Sequence, residues 1–328
     1  MNKKTSLTVL SQYRFPIMGF GAFLILFFHL WLNIFNNISF LAPIERFLKN
    51  TAYYGVDIFF LMSAIGLYHS MSKNDNIKQF YYKRFSRLFV PWLVCCLLTA
   101  WDNKWSFLTL LKNFTGYSFF FQSIYTFKWY IIAVCIVYLL FPFYFHLFNK
   151  ADNKKMFTLK VILLWFITFI FLQKFIRSDF YGLIWRMPIF LVGVLCEYLI
   201  LNEKVEIKNI YLWFILVLGV ALAYFLNGKK VPINDLQLLT SNFCLAFGSS
   251  LLLGSFLQRK NLRTPVLNIW GKSSLELYLF QELIGMKVIK LLLPLKFRLL
   301  INLIVFFVVS AICYFFSRLF TYIKNKFV

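Results

Sequence analysis

Two ionisable residues in otherwise apolar stretches suggest proton-transfer chemistry. His29 lies within FLILFFHLWLN, and Asp57 lies within YYGVDIFFLMS. A neutral imidazole accepts a proton from a hydroxyl, and a carboxylate bonded to its other nitrogen fixes the tautomer and stabilises the imidazolium. This combination suits acyl transfer to a hydroxyl. A structural role also fits both residues, as a histidine bonded between helices and as an acid at a helix N-terminus.

Cationic residues suggest a phosphate-binding site. Arg84 and Arg87, three residues apart in FYYKRFSRLFVPW, fall on one helix face, where paired guanidinium groups hold phosphates. On composition alone, anchoring at the cytoplasmic surface of a membrane is the favoured explanation of the pair. Arg186, in IWRMPIFLVG, is a cation in an apolar stretch and needs an anion or a carboxylate such as Glu276. Glu276 belongs to the polar cluster IWGKSSLELYLFQEL, which interhelical hydrogen bonding also explains.

The elements that position these residues are membrane-spanning helices. The sequence is 61% hydrophobic and 14% charged, whereas a soluble domain is about half apolar and a quarter charged. A span needs roughly 20 apolar residues, so 328 residues accommodate about ten. We therefore predict a single all-α integral membrane domain over 1–328, built as a helical bundle. The predicted spans are 16–36, 54–70, 88–101, 128–148, 157–173, 181–201, 209–226, 237–257, 268–286 and 299–318.

The distribution of charge predicts the orientation of the bundle. Lysine and arginine are more frequent in the alternate segments that include both termini, which places the termini in the cytoplasm. The net charge of +23 thus follows from membrane topology and does not require nucleic acid as a partner. At 1.5 Å per residue, His29 lies roughly 20 Å from Pro16, in the outer half of the membrane. His69 and His146 lie near cytoplasmic ends, where we expect solvation at the interface.

Two further features limit the interpretation. The aromatic stretch 102–127 contains charges and Gly116, so we interpret it as an outer loop or an interfacial segment. The six cysteines all lie in apolar segments without metal-ligand spacing to a histidine, so we predict no metal site.

The order of the motifs resembles the membrane acyltransferase-3 family. The resemblance rests on Arg14 with His29 and on five blocks: GVDIFFLMSAIGLY, FYYKRFSRLFVP, WYIIAVCIVYLLFP, RMPIFLVG and GKSSLELYLF. Many members carry an acid where this chain reads FKWYIIAV, so Asp57 and Glu276 are the candidates for the acid partner of His29.

The resemblance implies a helical bundle around a central cavity. It also implies an enzyme that transfers an acyl group, usually acetyl from acetyl-CoA, to a surface polysaccharide or its lipid-linked precursor. His29, Asp57 and Glu276 are then the catalytic candidates, and binding of CoA phosphates falls to three arginines, Arg14, Arg84 and Arg87. The remaining candidates, Trp129, Tyr130 and Arg186, are expected to bind substrate. His29 either deprotonates the acceptor hydroxyl or accepts the acyl group first.

The alternatives to this reading are O-succinyl transfer within the same family, a glycan transporter or flippase, and a non-catalytic subunit of a glycan assembly complex. The expected location is the bacterial cytoplasmic membrane, with membrane lipid and the glycan acceptor as partners.

Overall fold

The computed structural model describes residues 3–121, 127–172, 180–226 and 234–327 of the 328-residue chain, and within them the protein is almost entirely helical. The first helices are α1 (Thr8–Gln12), α2 (Arg14–Leu30), α3 (Leu41–Thr51), α4 (Gly55–Lys73), α5 (Ile77–Asp102), α6 (Phe107–Phe114), α7 (Tyr117–Phe121) and α8 (Trp129–Lys150). The remaining helices are α9 (Lys154–Leu172), α10 (Phe180–Asn202), α11 (Asn209–Leu226), α12 (Asn234–Lys260), α13 (Pro265–Lys272), α14 (Ser274–Leu292) and α15 (Arg298–Phe327). Two short strands, β1 (Lys4–Ser6) and β2 (Glu206–Lys208), pair antiparallel.

Six helical segments of the described chain are long and apolar enough to cross a membrane. They are Leu41–Lys73, Ile77–Asp102, Trp129–Lys150, Gly182–Asn202, Leu239–Lys260 and Arg298–Lys326. Arg14–Leu30 and Asn209–Phe225 are apolar but shorter. The all-α membrane class is therefore confirmed, whereas the number of ten spans and the central cavity stay predictions.

The helix that contains the span predicted over 88–101 begins earlier, at Ile77, and two other predicted spans are interrupted in the structure. The span predicted over 16–36 ends at Leu30, because Trp31 has an extended backbone with ψ 122° and the following N–H groups bond to side chains. The span predicted over 268–286 is broken into α13 and α14 at Ser273, whose hydroxyl donates to the carbonyl of Ile269. In both places a side-chain hydrogen bond replaces or competes with the helical one.

The stretch 102–127 is not a span in its described part. It contains two short helices, α6 and α7, and residues 122–126 lie outside the described chain. In α6 the apolar side chains Phe107, Leu108 and Leu111 are exposed, as suits an interfacial segment.

The chain divides into two compact units, which are described separately. Unit 1 comprises Met1–Met62 and Asn202–Leu319, and within it α2 packs against α13, α14 and the 3-10 turn Ala52–Tyr54. The contact with α13 requires glycine, since a Cβ at Gly19 would overlap the Leu267 carbonyl and one at Gly271 would overlap that of Phe15. In this unit α11 also packs along α12.

Unit 2 comprises Ser63–Leu201 and Phe320–Val328. Within it α5 packs against α6 and α8, and α8 packs against α9. Aromatic side chains from three helices fill its interior, with Tyr68 against Phe145, Phe148 and Tyr198 at ring-centroid distances of 5.2, 5.7 and 6.4 Å. The single domain that the sequence predicts stays a prediction.

Candidate acyl-transfer site

The central feature of the candidate site is a histidine paired with a carboxylate in unit 1. His29 is the penultimate residue of α2, and its Nδ1 lies 3.0 Å from Oε1 of Glu282 on α14. The two side chains are 31% and 43% exposed, so both are accessible to a small reactant. The ring of Phe28 meets the imidazole edge to face, with centroids 4.9 Å apart.

A glycine on α14 allows this pair to form. Gly285 lies one turn after Glu282, on the same helix face. A Cβ at Gly285 would lie 2.5 Å from Cδ1 of Leu30, the buried residue next to His29. Because no side chain stands there, α14 approaches the end of α2 closely enough for the carboxylate to reach the imidazole.

The pair has the chemistry of a general base. In the neutral imidazole, the Nδ1–H donates to Glu282, which leaves the Nε2 lone pair to accept a proton from a hydroxyl. When Nε2 takes that proton, the Glu282 carboxylate lies beside the imidazolium and stabilises it. This geometry supports the role predicted for His29 from its position in the sequence.

The carboxylate at hydrogen-bonding distance from His29 is one that sequence reasoning did not assign. Asp57 and Glu276 were the predicted partners, and both are buried, at 4% and 5% exposure, in the first turns of α4 and α14. A carboxylate in a first turn is stabilised by the helix dipole. Their catalytic roles stay predictions. Two local signals pointed to Glu282. It lies three residues before Gly285, and it belongs to the same polar cluster as Glu276.

The segment that follows His29 is not helical, and side-chain hydrogen bonds hold its backbone. Glu45, which is 6% exposed, accepts hydrogen bonds from Trp31 Nε1 and the Ile34 N–H, both at 2.8 Å, and from the Phe35 N–H at 2.9 Å. The buried Asn302 side chain bonds both the N–H and the carbonyl of Leu32, at 2.8 and 2.9 Å. These bonds give partners to backbone groups of Leu32, Ile34 and Phe35, which lie beyond the end of α2.

Two basic side chains complete this arrangement. Lys49 Nζ donates to the Trp31 carbonyl at 2.6 Å, and Arg298 donates to the Asn33 carbonyl at 2.7 Å. We call residues 31–37 the clamped loop, because side chains of α3 and α15 fix its backbone. Sequence reasoning missed this loop, since it placed these residues in the first span.

Arg14 begins α2, fifteen positions before His29, so the two lie about 22 Å apart along the helix axis. The predicted phosphate-binding residues Arg84 and Arg87 lie on α5 in unit 2. Arg84 is half-buried, donates to the Gly66 carbonyl at 3.1 Å, and lies over the rings of Phe80 and Tyr138. Arg87 is exposed one turn further along.

The predicted substrate-binding residues come together within unit 2. The Arg186 guanidinium, 5% exposed, lies 5.0 Å from the ring centroid of Trp129 and donates to the Gly182 carbonyl at 2.8 Å. Tyr130 is buried on the next position of α8. This cation–π contact stabilises the buried guanidinium of Arg186. The sequence suggested an anion, or a carboxylate such as Glu276, as its partner.

A second histidine–carboxylate pair lies in unit 2, where the sequence predicted only interfacial solvation of His69. Its Nδ1 lies 2.7 Å from Oε1 of Glu197, a residue that is fully buried. The imidazole of His69 is 37% exposed, so the structure adds a buried carboxylate partner to the solvation expected at this position. Among the described residues, no group of three or more His, Cys, Asp or Glu side chains is arranged to hold a metal ion.

The fold and this site define a membrane protein with an acid–base pair suited to acyl transfer. Residues 19–320 match the family described as an acyltransferase domain, acyltransferase-3. The match covers nearly the whole chain, so the protein belongs to the acyltransferase-3 family. Comparison with curated proteins and with solved structures gives no match.

Proposed function

We propose that this membrane acyltransferase transfers an acetyl group from acetyl-CoA to a hydroxyl of a surface polysaccharide or of its lipid-linked precursor. The observation that carries the proposal is the accessible pair of His29 and Glu282 in a chain of the acyltransferase-3 family. The proposed location is the bacterial cytoplasmic membrane, with both termini in the cytoplasm and lipid around the helices.

The transfer step uses His29 as general base. Nε2 takes the proton of the acceptor hydroxyl as the oxygen attacks the thioester carbonyl carbon. The tetrahedral intermediate then breaks its carbon–sulfur bond, and the CoA thiolate takes the proton back from the imidazolium. Glu282 holds the imidazole and stabilises its charged form throughout. The alternative, in which His29 first carries the acetyl group, uses the same pair.

We propose that three arginines bind the acyl donor, acetyl-CoA. CoA carries phosphate groups, which guanidinium groups hold through charge-assisted, often bidentate hydrogen bonds. Arg84, Arg87 and Arg14 are the residues proposed for this role. The half-buried position of Arg84 between two aromatic rings supports it, because such packing limits the conformations that the guanidinium can adopt.

The acceptor and the remaining acids complete the proposal. Trp129, Tyr130 and Arg186 bind substrate, and the packing of Arg186 on Trp129 supports treating them as one group. Asp57 and Glu276 remain proposed acids of the site.

The test is acetyl transfer by purified protein in lipid nanodiscs, with radiolabelled acetyl-CoA and surface glycan extracted from a deletion strain. We expect His29→Ala to lower transfer per folded molecule by 10²- to 10⁴-fold, which a general base typically contributes. The matched control is His146→Ala, an exposed histidine whose loss should leave transfer unchanged. Transport of glycan without consumption of acetyl-CoA would indicate a flippase instead. Transfer only from succinyl-CoA would show that the transferred acyl group is succinyl.

The donor site is tested separately by CoA affinity. Arg84→Ala combined with Arg87→Ala should weaken CoA binding by at least tenfold, since one hydrogen bond to a charged group contributes about 1.5–3 kcal/mol. Lys78→Ala removes an exposed cation from the same helix and serves as the control. Equal CoA affinity in the double variant and in the control would assign the two arginines to membrane anchoring alone.

A further inference from the structure

A cleft beside the clamped loop carries cationic groups that the transfer step does not use. The cleft has a volume of about 740 Å³ and lies within unit 1. The clamped loop forms one wall, with Ile34, Asn36 and Asn37, and the start of α15 with the residues before it forms the other. The second wall comprises Lys296, Phe297, Arg298, Leu299 and Leu300.

The charges of the cleft are all positive. Lys296 and Arg298 both line it, none of the described lining residues is acidic, and neither cation forms an ion pair within the described chain. Both are exposed. Arg298 uses one nitrogen for the Asn33 carbonyl, which fixes the guanidinium and leaves its other donors available.

The other lining groups are those that recognise a sugar. The exposed amides of Asn36 and Asn37 each offer a donor and an acceptor, the combination that neighbouring hydroxyls require. The ring of Phe297, which is 73% exposed, offers an apolar face on which the C–H face of a pyranose can pack. Cations, amides and an aromatic face in one cleft fit a saccharide that carries an acidic group.

The cleft is close to the catalytic histidine along the chain. Ile34 follows His29 by five residues, so their Cα atoms are at most about 18 Å apart. Hydrogen bonds to Glu45 and Asn302 hold the clamped loop between them. A few linked sugar rings span that distance, which allows one ring to occupy the cleft while another presents its hydroxyl to His29.

From these observations we infer that the cleft binds an acidic sugar residue of the acceptor glycan, through its carboxylate or phosphate group, and so positions a neighbouring residue for acylation. The inference rests on the proposed function, in which His29 acts on a glycan hydroxyl. It adds the class of acceptor, an anionic glycan, and the residues that select it.

Binding is measured in the His29→Ala protein, so that it does not depend on turnover. The protein is placed in nanodiscs of zwitterionic lipid, and the probes are trigalacturonate and its fully methyl-esterified form, in which a neutral methyl ester replaces each carboxylate. We expect trigalacturonate to bind at least tenfold more tightly, with the difference shrinking at high salt because exposed charges are screened. Equal binding of the two probes would overturn the inference while leaving the transfer assay unaffected.

The variants assign the preference to the cleft. Lys296→Asn combined with Arg298→Gln should abolish the preference for trigalacturonate; asparagine tolerates the positive φ of 59° at position 296. Arg298→Lys keeps the charge and should retain most of the preference. Lys290→Gln, on the exposed side of α14, should leave it unchanged. Thermal stability of each variant reports whether loss of the Arg298 hydrogen bond unfolds the loop.

One outcome would assign the cleft to lipid. If the Lys296→Asn, Arg298→Gln protein keeps its preference for trigalacturonate but no longer enriches phosphatidylglycerol in mass spectra of co-purified lipid, the cleft binds an anionic headgroup and the inference is wrong. Failure of the proposed function is a separate result, because it shows as absent acetyl transfer by the protein with His29 intact.

Discussion

Replacing Glu282 with glutamine tests the pair on which the mechanism depends. Glutamine keeps the size of the side chain and an oxygen that accepts the Nδ1–H of His29, but it removes the negative charge that stabilises the imidazolium. Two unit charges about 4 Å apart attract by roughly 1 kcal/mol in bulk water and by about 4 kcal/mol at an effective dielectric constant of 20. The exposed fractions of the two side chains, 31% and 43%, place the pair between these limits.

We take about 2 kcal/mol as the attraction between the two charges that Glu282→Gln removes, which corresponds to a roughly 30-fold lower rate. Glu282→Gln should therefore lower kcat for acetyl transfer by about that factor, with the KM for acetyl-CoA and the thermal stability close to wild type. The assay is initial-rate kinetics in nanodiscs, with Glu276→Gln and Asp57→Asn measured in parallel. A Glu282→Gln enzyme with more than half of the wild-type kcat, beside a large loss in one of the other two variants, would refute the assignment and move the acid to Glu276 or Asp57.

Three further substitutions test side-chain packing, two of them in unit 1 and one in unit 2. Gly285→Leu should lower transfer and thermal stability together, because the new side chain meets Leu30, and Leu30→Ala should restore part of both; unchanged thermal unfolding would contradict the close approach of α14 and α2. Asn302→Leu should lower the melting temperature, because a loop N–H and a carbonyl lose their partners at a cost of about 1–3 kcal/mol each. Scanning fluorimetry with and without CoA should show that CoA still stabilises this variant. His69→Ala should destabilise the protein by about 3–5 kcal/mol by leaving Glu197 without its imidazole partner. Adding Glu197→Gln should recover part of that loss, whereas a His69→Ala protein with wild-type stability would show that the pair is not structural.

The positions of the long apolar helices were predictable because each coincides with a run of apolar residues, whereas α3, LAPIERFLKNT, has no such run. Their ends were less predictable. Residues 31–36 continue the apolar run with Trp31, Leu32, Ile34 and Phe35, but Glu45 and Asn302 bond to their backbone groups, and both lie at a distance in the sequence. At the break at Ser273 a long-range contact also acts, because Gly271 lies against the backbone of Phe15.

The difference between local sequence and contacts between distant residues also explains which site residues the sequence identified. His29 was identifiable by itself, because an imidazole in an apolar segment is costly without a purpose. Its partner was not, since Asp57, Glu276 and Glu282 are all acids in or near apolar segments and only the packing of α14 on α2 separates them. The grouping of Arg186 with Trp129 likewise depends on the approach of α10 to α8, although both residues were named from their motifs.

The two histidine–carboxylate pairs show why proximity alone does not identify a catalytic base. Their distances are similar, at 3.0 Å for His29 and 2.7 Å for His69, and both imidazoles are partly exposed. Their surroundings differ, because Glu197 is fully buried within the helices of unit 2, whereas Glu282 is 43% exposed. His29 is also followed directly by a fixed loop that borders a cleft large enough for a sugar, while His69 lies within a continuous helix. Both members of the His29 pair are exposed to a reactant, so we assign the chemistry to that pair and the fully buried carboxylate of Glu197 to stability.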